Sequence, residues 1–171
     1  MTPQERIAYC AGLFDGEGTI SVRKFVDRRP RTSVKGRMRG ERTSYELHIE
    51  INQVRPEAIR VIHAAFGGRM IFQKQRAAAS KYSGRWFWTL DSQKAADVLA
   101  VLKPFLAIKT AEVDVALRFQ ATKRVFTNGR SRKLGLTAEE IAEREFCYIE
   151  LQRLKRVHND PAVQAAYSST T

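Results

Sequence analysis

Hydrophobic residues recur along this chain with two periods, and the switching between them sets the element order. Ile7, Cys10, Ala11 and Phe14 are three and four residues apart, the stripe of a helix resting on a core. The start of that helix is well specified. Thr2 suits the N-cap, Pro3 the first helical position, and Glu5 completes a Thr-x-x-Glu capping box. The period then falls to two. Ile20 and Val22 alternate with Ser21 and Arg23, predicting a strand over 19–26. Tyr45, Leu47, Ile49 and Ile51 alternate with Glu46, His48, Glu50 and Asn52, predicting another over 45–53. Pro56 opens a helix over 56–66, which Gly67 and Gly68 close. Strands at 69–75 and 85–90 flank a small polar loop. A helix over 92–103 stops before Pro104, and another covers 107–124. A second capping box, Thr137-x-x-Glu140, starts a helix whose apolar side holds Phe146, Tyr148, Ile149 and Leu151.

This order predicts an α+β fold, αββαββα, with four antiparallel strands. One face of the sheet would pack on helices and the other would be open, a polar saddle shaped for a duplex. The expected organisation is a core over 1–124, a basic linker over 125–136, a C-terminal helix over 137–158 and a flexible tail over 159–171. Residues 27–44, with Pro30, Gly36 and Gly40 and little apolar content, read as a basic loop.

Charge sharpens the picture through its placement. The chain has 171 residues and a formal net charge of +12. Residues 23–42 hold nine Lys or Arg against two acids, while 69–85 and 123–133 hold five each and no acid. These three stretches carry more than the whole positive excess, so the remainder is net acidic. Positive charge gathered into a few segments is the footprint of nucleic-acid binding. Cys10 and Cys147 make neither a metal spacing nor a disulfide framework. With no secretion signal and no apolar run long enough to span a bilayer, the expected location is intracellular, in cytoplasm, nucleoid or an organelle.

The end of the first helix is electrostatically odd. Asp15 and Glu17 lie at the negative pole of the helix dipole, which prefers cations by ~0.3–1 kcal/mol per charge. A divalent ion held by carboxylate and backbone oxygens would resolve this, and Gly16 and Gly18 would permit the turn and a ligand's close approach. Ala8, Gly12 and Gly16 recur at every fourth position, a line of small residues along which another helix can pack closely.

The stretch Cys10-Ala11-Gly12-Leu13-Phe14-Asp15-Gly16-Glu17-Gly18 resembles the nine-residue motif of the LAGLIDADG homing endonucleases, single-motif type. The resemblance extends to the αββαββα order over residues 1–122. It implies a site-specific, metal-dependent double-strand DNA endonuclease. Glu17 matches the metal-binding acid, with Glu where Asp is more usual and the Gly16 carbonyl beside it. The implied ion is Mg²⁺, or Mn²⁺ or Ca²⁺ at the same site, with no small-molecule cofactor. Gln53, ending the second strand, matches a polar residue that positions water. Lys109, closing Lys103-Pro104-Phe105-Leu106-Ala107-Ile108-Lys109, matches a lysine beside the scissile phosphate. A single motif implies a homodimer packed through Ala8, Gly12 and Gly16, reading a long pseudo-palindromic DNA site.

Outward strand residues would read bases: Ser21, Arg23, Glu46, His48, Glu50, Arg69, Gln73, Gln75, Arg85 and Thr89. Lys24, Arg28, Arg29, Arg31, Lys35, Arg37 and Arg39 would hold phosphates. Trp86 and Trp88 suit core packing. The alternative is a non-cleaving DNA- or RNA-binding protein on the same scaffold, a repressor or intron maturase. Glu17, Gln53 and Lys109 separate the two.

Overall fold

The computed structural model describes residues 1–27, 31–32, 38–39, 42–74, 84–123 and 136–158. Helix α1 (Pro3–Glu17) runs without a loop into strand β1 (Gly18–Asp27). Short strands β2 (Arg31–Thr32) and β3 (Met38–Arg39) precede β4 (Arg42–Gln53). Then come α2 (Pro56–Phe66), β5 (Arg69–Lys74), β6 (Gly84–Asp91) and α3 (Ser92–Leu102). A 3-10 turn over Lys103–Phe105, α4 (Thr110–Ala121) and α5 (Ala138–His158) follow.

The α1 capping box forms as its residues dictate. The Thr2 hydroxyl accepts from the Glu5 amide at 3.2 Å, and the Glu5 carboxylate accepts from the Thr2 amide at 2.7 Å. Helix α2 ends on Gly67 and Gly68, at φ 66° and 96°. L side chains rarely adopt that backbone, so glycine is needed here. The Gly67 carbonyl then accepts the buried Trp88 indole N–H at 2.7 Å.

The four long strands form one antiparallel sheet in the order β1-β4-β6-β5. Ile20, Val22, Leu47, Ile49, Ile51, Trp88 and Leu90 are buried on its helix side. There they meet Cys10, Ala11 and Phe14 of α1, Ile59 and Ile62 of α2, and the inner faces of α3 and α4. Fully burying one such aliphatic or Phe side chain contributes ~1.5–3 kcal/mol, so the period-two pattern decides which face turns inward.

Three expectations change. The stretch 27–44 is not all loop. β1 and β4 pair as far as Asp27 with Arg42, and β2 pairs with β3 through Arg31 with Arg39 and Thr32 with Met38. Small and charged residues gave no hydrophobic signal there, and backbone pairing alone defines the ribbon. The helix expected from 107 begins at Thr110, after a turn described below. On α5 the inward side is Cys147 and Leu151 with Tyr148 half-buried, while Phe146 and Ile149 are 47% and 56% exposed. Helix α5 packs on α4 and β1 and so belongs to the same core. Burial pushes the Cys147 thiol up to about 11, and Cys10 is raised by the same cause, so both remain thiols at neutral pH. The expected linker beyond residue 123 lies outside the described residues until 136, as does the tail 159–171.

Candidate nucleic-acid interface

The acid-tipped end of α1 is built from two carboxylates with different surroundings. Asp15 is buried and faces the chain before α4. Its Oδ2 accepts the amides of Ala107 and Ile108 at 2.6 and 3.2 Å, and its Oδ1 that of Lys109 at 3.0 Å. The carboxylate that is unfavourable at its own helix's C-terminus therefore sits on the positive N-terminus of another helix. It holds those three amides in the turn ahead of α4, whose first helical residue is Thr110. The Lys109 ammonium in turn donates to the Asp15 carbonyl, which brings it to the end of α1.

Glu17, by contrast, is exposed as the last residue of α1. Gly18 begins β1 with an extended backbone, φ −73° and ψ 146°, so no left-handed turn is used. What the position needs is space: a Cβ on Gly18 would come within 2.4 Å of the Phe14 carbonyl oxygen. Gly16 adopts no unusual φ, and a Cβ there would meet nothing within 4 Å. The turn-making role expected of Gly16 is therefore absent, and Gly18 acts through close approach. Gly18 pairs with Ile51, which puts Gln53 two residues past that pair, on the sheet end where α1 finishes. Gly18, Thr19, Lys109, Glu112 and Lys155 share one cleft beside this end.

The sheet's other face is laid out in rows by the strand register. Thr19, Glu50, Thr89 and Arg69 form one row across all four strands. Ser21, His48 and Asp91 form the next, and Arg23 with Glu46 the one beyond. On the other side lies Asn52, Phe87 and Ile71, then Arg85 with Gln73. Thus Ser21, Arg23, Glu46, His48, Glu50, Arg69, Gln73, Arg85 and Thr89 share one face, opposite the core. Asn52, Ile71 and Phe87 share it too. The period-two parity of β4 could have singled out Asn52, while Ile71 and Phe87 were hidden among apolar neighbours.

Two side chains depart from their expected place. Lys24 has the parity of Val22 and turns to the helix side. Its ammonium bonds Glu145 of α5 at 2.8 Å and lies over the rings of Tyr45 and Tyr148. That engagement removes it from the phosphate-binding set. His48 is on the outer face but only 4% exposed. Its Nδ1 is 2.6 Å from Asp91 Oδ1 and its Nε2 3.5 Å from Glu50 Oε2. The Nδ1 contact ties the ring to Asp91, while Nε2 is buried and makes no hydrogen bond among the described residues. Arg31 and Arg39 are placed by their backbones on β2 and β3. Arg28, Arg29, Lys35, Arg37 and Gln75 lie outside the described residues.

A metal ion at Glu17 would find hard oxygen donors, the kind that Mg²⁺ and Ca²⁺ take. Asp15 is already committed to three amides. Among the described residues no three His, Cys, Asp or Glu side chains gather as a metal-binding group. The described residues of one copy therefore fit such an ion only in part.

The α1 tip and the open, rowed sheet define a class of protein. The chain has the fold of the LAGLIDADG homing endonucleases, an α+β architecture with a four-stranded antiparallel sheet. I-CvuI, in complex with the I-CreI target, matches with a TM-score of 0.60 at 15% identity, over 89% of this chain and 83% of that one. The archaeal intron-encoded homing endonuclease I-Vdi141I, complexed with DNA, matches with 0.60 at 15%, over 90% and 86%. The LAGLIDADG homing endonuclease I-SmaMI, bound to cleaved DNA, gives 0.52 at 14%, over 84% of this chain but 41% of that longer one. No protein-family model matches the chain, nor does any curated protein.

Proposed function

We propose that this protein is a site-specific, divalent-metal-dependent double-strand DNA endonuclease acting as a homodimer. The observation that carries the reading is the junction at Glu17 and Gly18. There an exposed carboxylate ends one helix and the first strand of the open sheet begins at the next residue. Residues that would hold an ion and residues that would contact bases are thereby fixed to one another. The solved proteins of this fold support the reading, since I-CvuI and I-Vdi141I are complexed with DNA and I-CvuI structures were obtained with Mg or Ca.

In this reading Glu17 and the Gly16 carbonyl hold the ion, with a second Glu17 from a partner copy. When bound, the ion supplies Lewis acidity at the phosphoryl group and a more acidic water. Lys109, kept at the tip by the Asp15 carbonyl, stabilises charge developing on the phosphate. Gln53, at the same sheet end, orients the attacking water. Ala8, Gly12 and Gly16 are exposed along one side of α1 and form the contact with the partner helix. The target is a long pseudo-palindrome, because a two-fold protein reads a two-fold site.

The test is cleavage of a duplex selected from a randomised library, with Mg²⁺ present. The wild-type protein should cut both strands. Glu17→Gln should bind the same duplex and cut at least 100-fold more slowly. Tight binding with no cutting by the wild type would instead favour the repressor or maturase alternative.

A further inference from the structure

Among the described residues the outer sheet face carries one apolar cross-strand pair, set apart from the exposed Phe25 near the far end of β1. Ile71 of β5 and Phe87 of β6 are direct cross-strand partners, and Phe87 is in turn opposite Asn52 of β4. All three are half-buried and lie on the face away from the core, since their neighbours Ile51 and Trp88 are fully buried on the other. Arg69 and Gln73 flank Ile71 along β5, and Arg85 flanks Phe87 along β6.

Asn52 is not free to present either end of its amide. The Arg85 guanidinium donates from Nη1 to Asn52 Oδ1 at 3.0 Å. That bond fixes the amide orientation and turns the two Nδ2–H donors away from Arg85. The row therefore offers a hydrogen-bond donor next to an apolar patch.

From this row we infer that Asn52, Phe87 and Ile71 form a thymine-reading element; the inference rests on the DNA-binding reading above. In the major groove thymine shows an O4 acceptor beside a C5 methyl, a match for donor plus apolar surface. Cytosine and adenine present an amino donor where Asn52 also donates. Guanine presents two acceptors and nothing apolar for Ile71 and Phe87 to cover. Arg85 already occupies one lone pair of Asn52 Oδ1, so the end of the amide left fully open is its pair of Nδ2–H donors. The flanking Arg69 and Arg85 complement the phosphates on either side. The element also selects DNA over RNA, because RNA lacks the methyl and its A-form major groove is too narrow to enter.

The experiment removes only the methyl group. A duplex bound by the full-length protein is recovered from a randomised library, and each thymine is replaced singly by deoxyuridine. Loss of one buried methyl should weaken wild-type binding about fourfold at one position per half-site. Ile71→Ala with Phe87→Ala should bind the thymine and deoxyuridine duplexes equally, and Asn52→Ala should lose preference for thymine over cytosine there. The deoxyuridine scan on the wild type needs no variant, so misfolding cannot mimic the result. A duplex that is bound with no deoxyuridine-sensitive position overturns the thymine element and leaves DNA binding intact. The same fourfold loss persisting in the double variant assigns the methyl contact elsewhere and also overturns it. Failure to recover any duplex overturns the DNA-binding reading and this inference with it.

Discussion

Asp15 and Glu17 are two residues apart, yet the fold gives them unrelated work. Asp15 accepts three backbone amides and is buried, whereas Glu17 faces water. Asp15→Ala would leave those amides without their acceptor and should cost about 3 kcal/mol of unfolding free energy. Asp15→Asn keeps one carbonyl oxygen and should cost roughly half that. Urea titration of the two variants checks both figures; equal stability to the wild type would mean the cap is energetically idle. Little of this division was legible in the sequence. Two acids at a helix C-terminus signal a missing positive partner, but not that one partner is the N-terminus of a helix more than ninety residues away. Local spacing carries no record of such a long-range contact. Glu17 and Lys109 were picked out by the motif resemblance alone, and the structure brings the Lys109 ammonium to the Asp15 carbonyl, two residues before Glu17.

Helix α5 shows how an element is fastened. Glu145 accepts from the Lys24 ammonium and the Tyr45 hydroxyl, so a carboxylate on α5 locks to the sheet face that holds the core. Those two hydrogen bonds hold the Glu145 carboxyl below its ordinary value of 4.5. A group whose pKa is depressed by folding adds stability above its unfolded pKa and loses it as pH falls through the folded one. Docking of α5 should therefore be constant above about pH 4.5 and weaken below it. Glu145→Gln should flatten that acid limb, read by amide exchange of α5 at pH 3 to 6; an unchanged limb would assign it to other carboxylates. The start of α5 was plain from its capping box, but its inward side was not. Phe146 and Ile149 are the more apolar residues, and the helix turns Cys147 and Leu151 inward because β1 and α4 meet it there. The faces of β4, by contrast, were readable, because a period of two leaves only two choices and burial of Leu47, Ile49 and Ile51 decides between them; on β5 and β6 apolar residues on both faces hid Ile71 and Phe87.

The proposed two-fold assembly rests on what α1 leaves uncovered. A Cβ at Gly12 or Gly16 would touch nothing within 4 Å of the single chain. Gly12→Leu should thus leave the isolated fold intact, and replacing a helical glycine adds up to about 1 kcal/mol of helix propensity. The same substitution should abolish a dimer whose helices meet along Ala8, Gly12 and Gly16. Analytical ultracentrifugation should show the wild type at twice the 19.5 kDa of one chain and Gly12→Leu at that single mass. A wild type that sediments as a monomer at high concentration, with DNA bound, would remove the two-fold model. The four-stranded sheet and its helix layer were legible because each element carries its own period. The β2–β3 ribbon was not, since its residues carry no hydrophobic alternation.

One covalent detail ties these levels together. Because α1 passes into β1 between Glu17 and Gly18 with no intervening residue, the chain has no slack between its exposed acid and the first strand of its open sheet. An insertion of even a single amino acid at that seam would invert β1, sending Ile20 and Val22 to solvent and Ser21 and Arg23 into the interior. On the proposed base-reading role, a change of target must therefore come from exchanging side chains in place, never from lengthening the join.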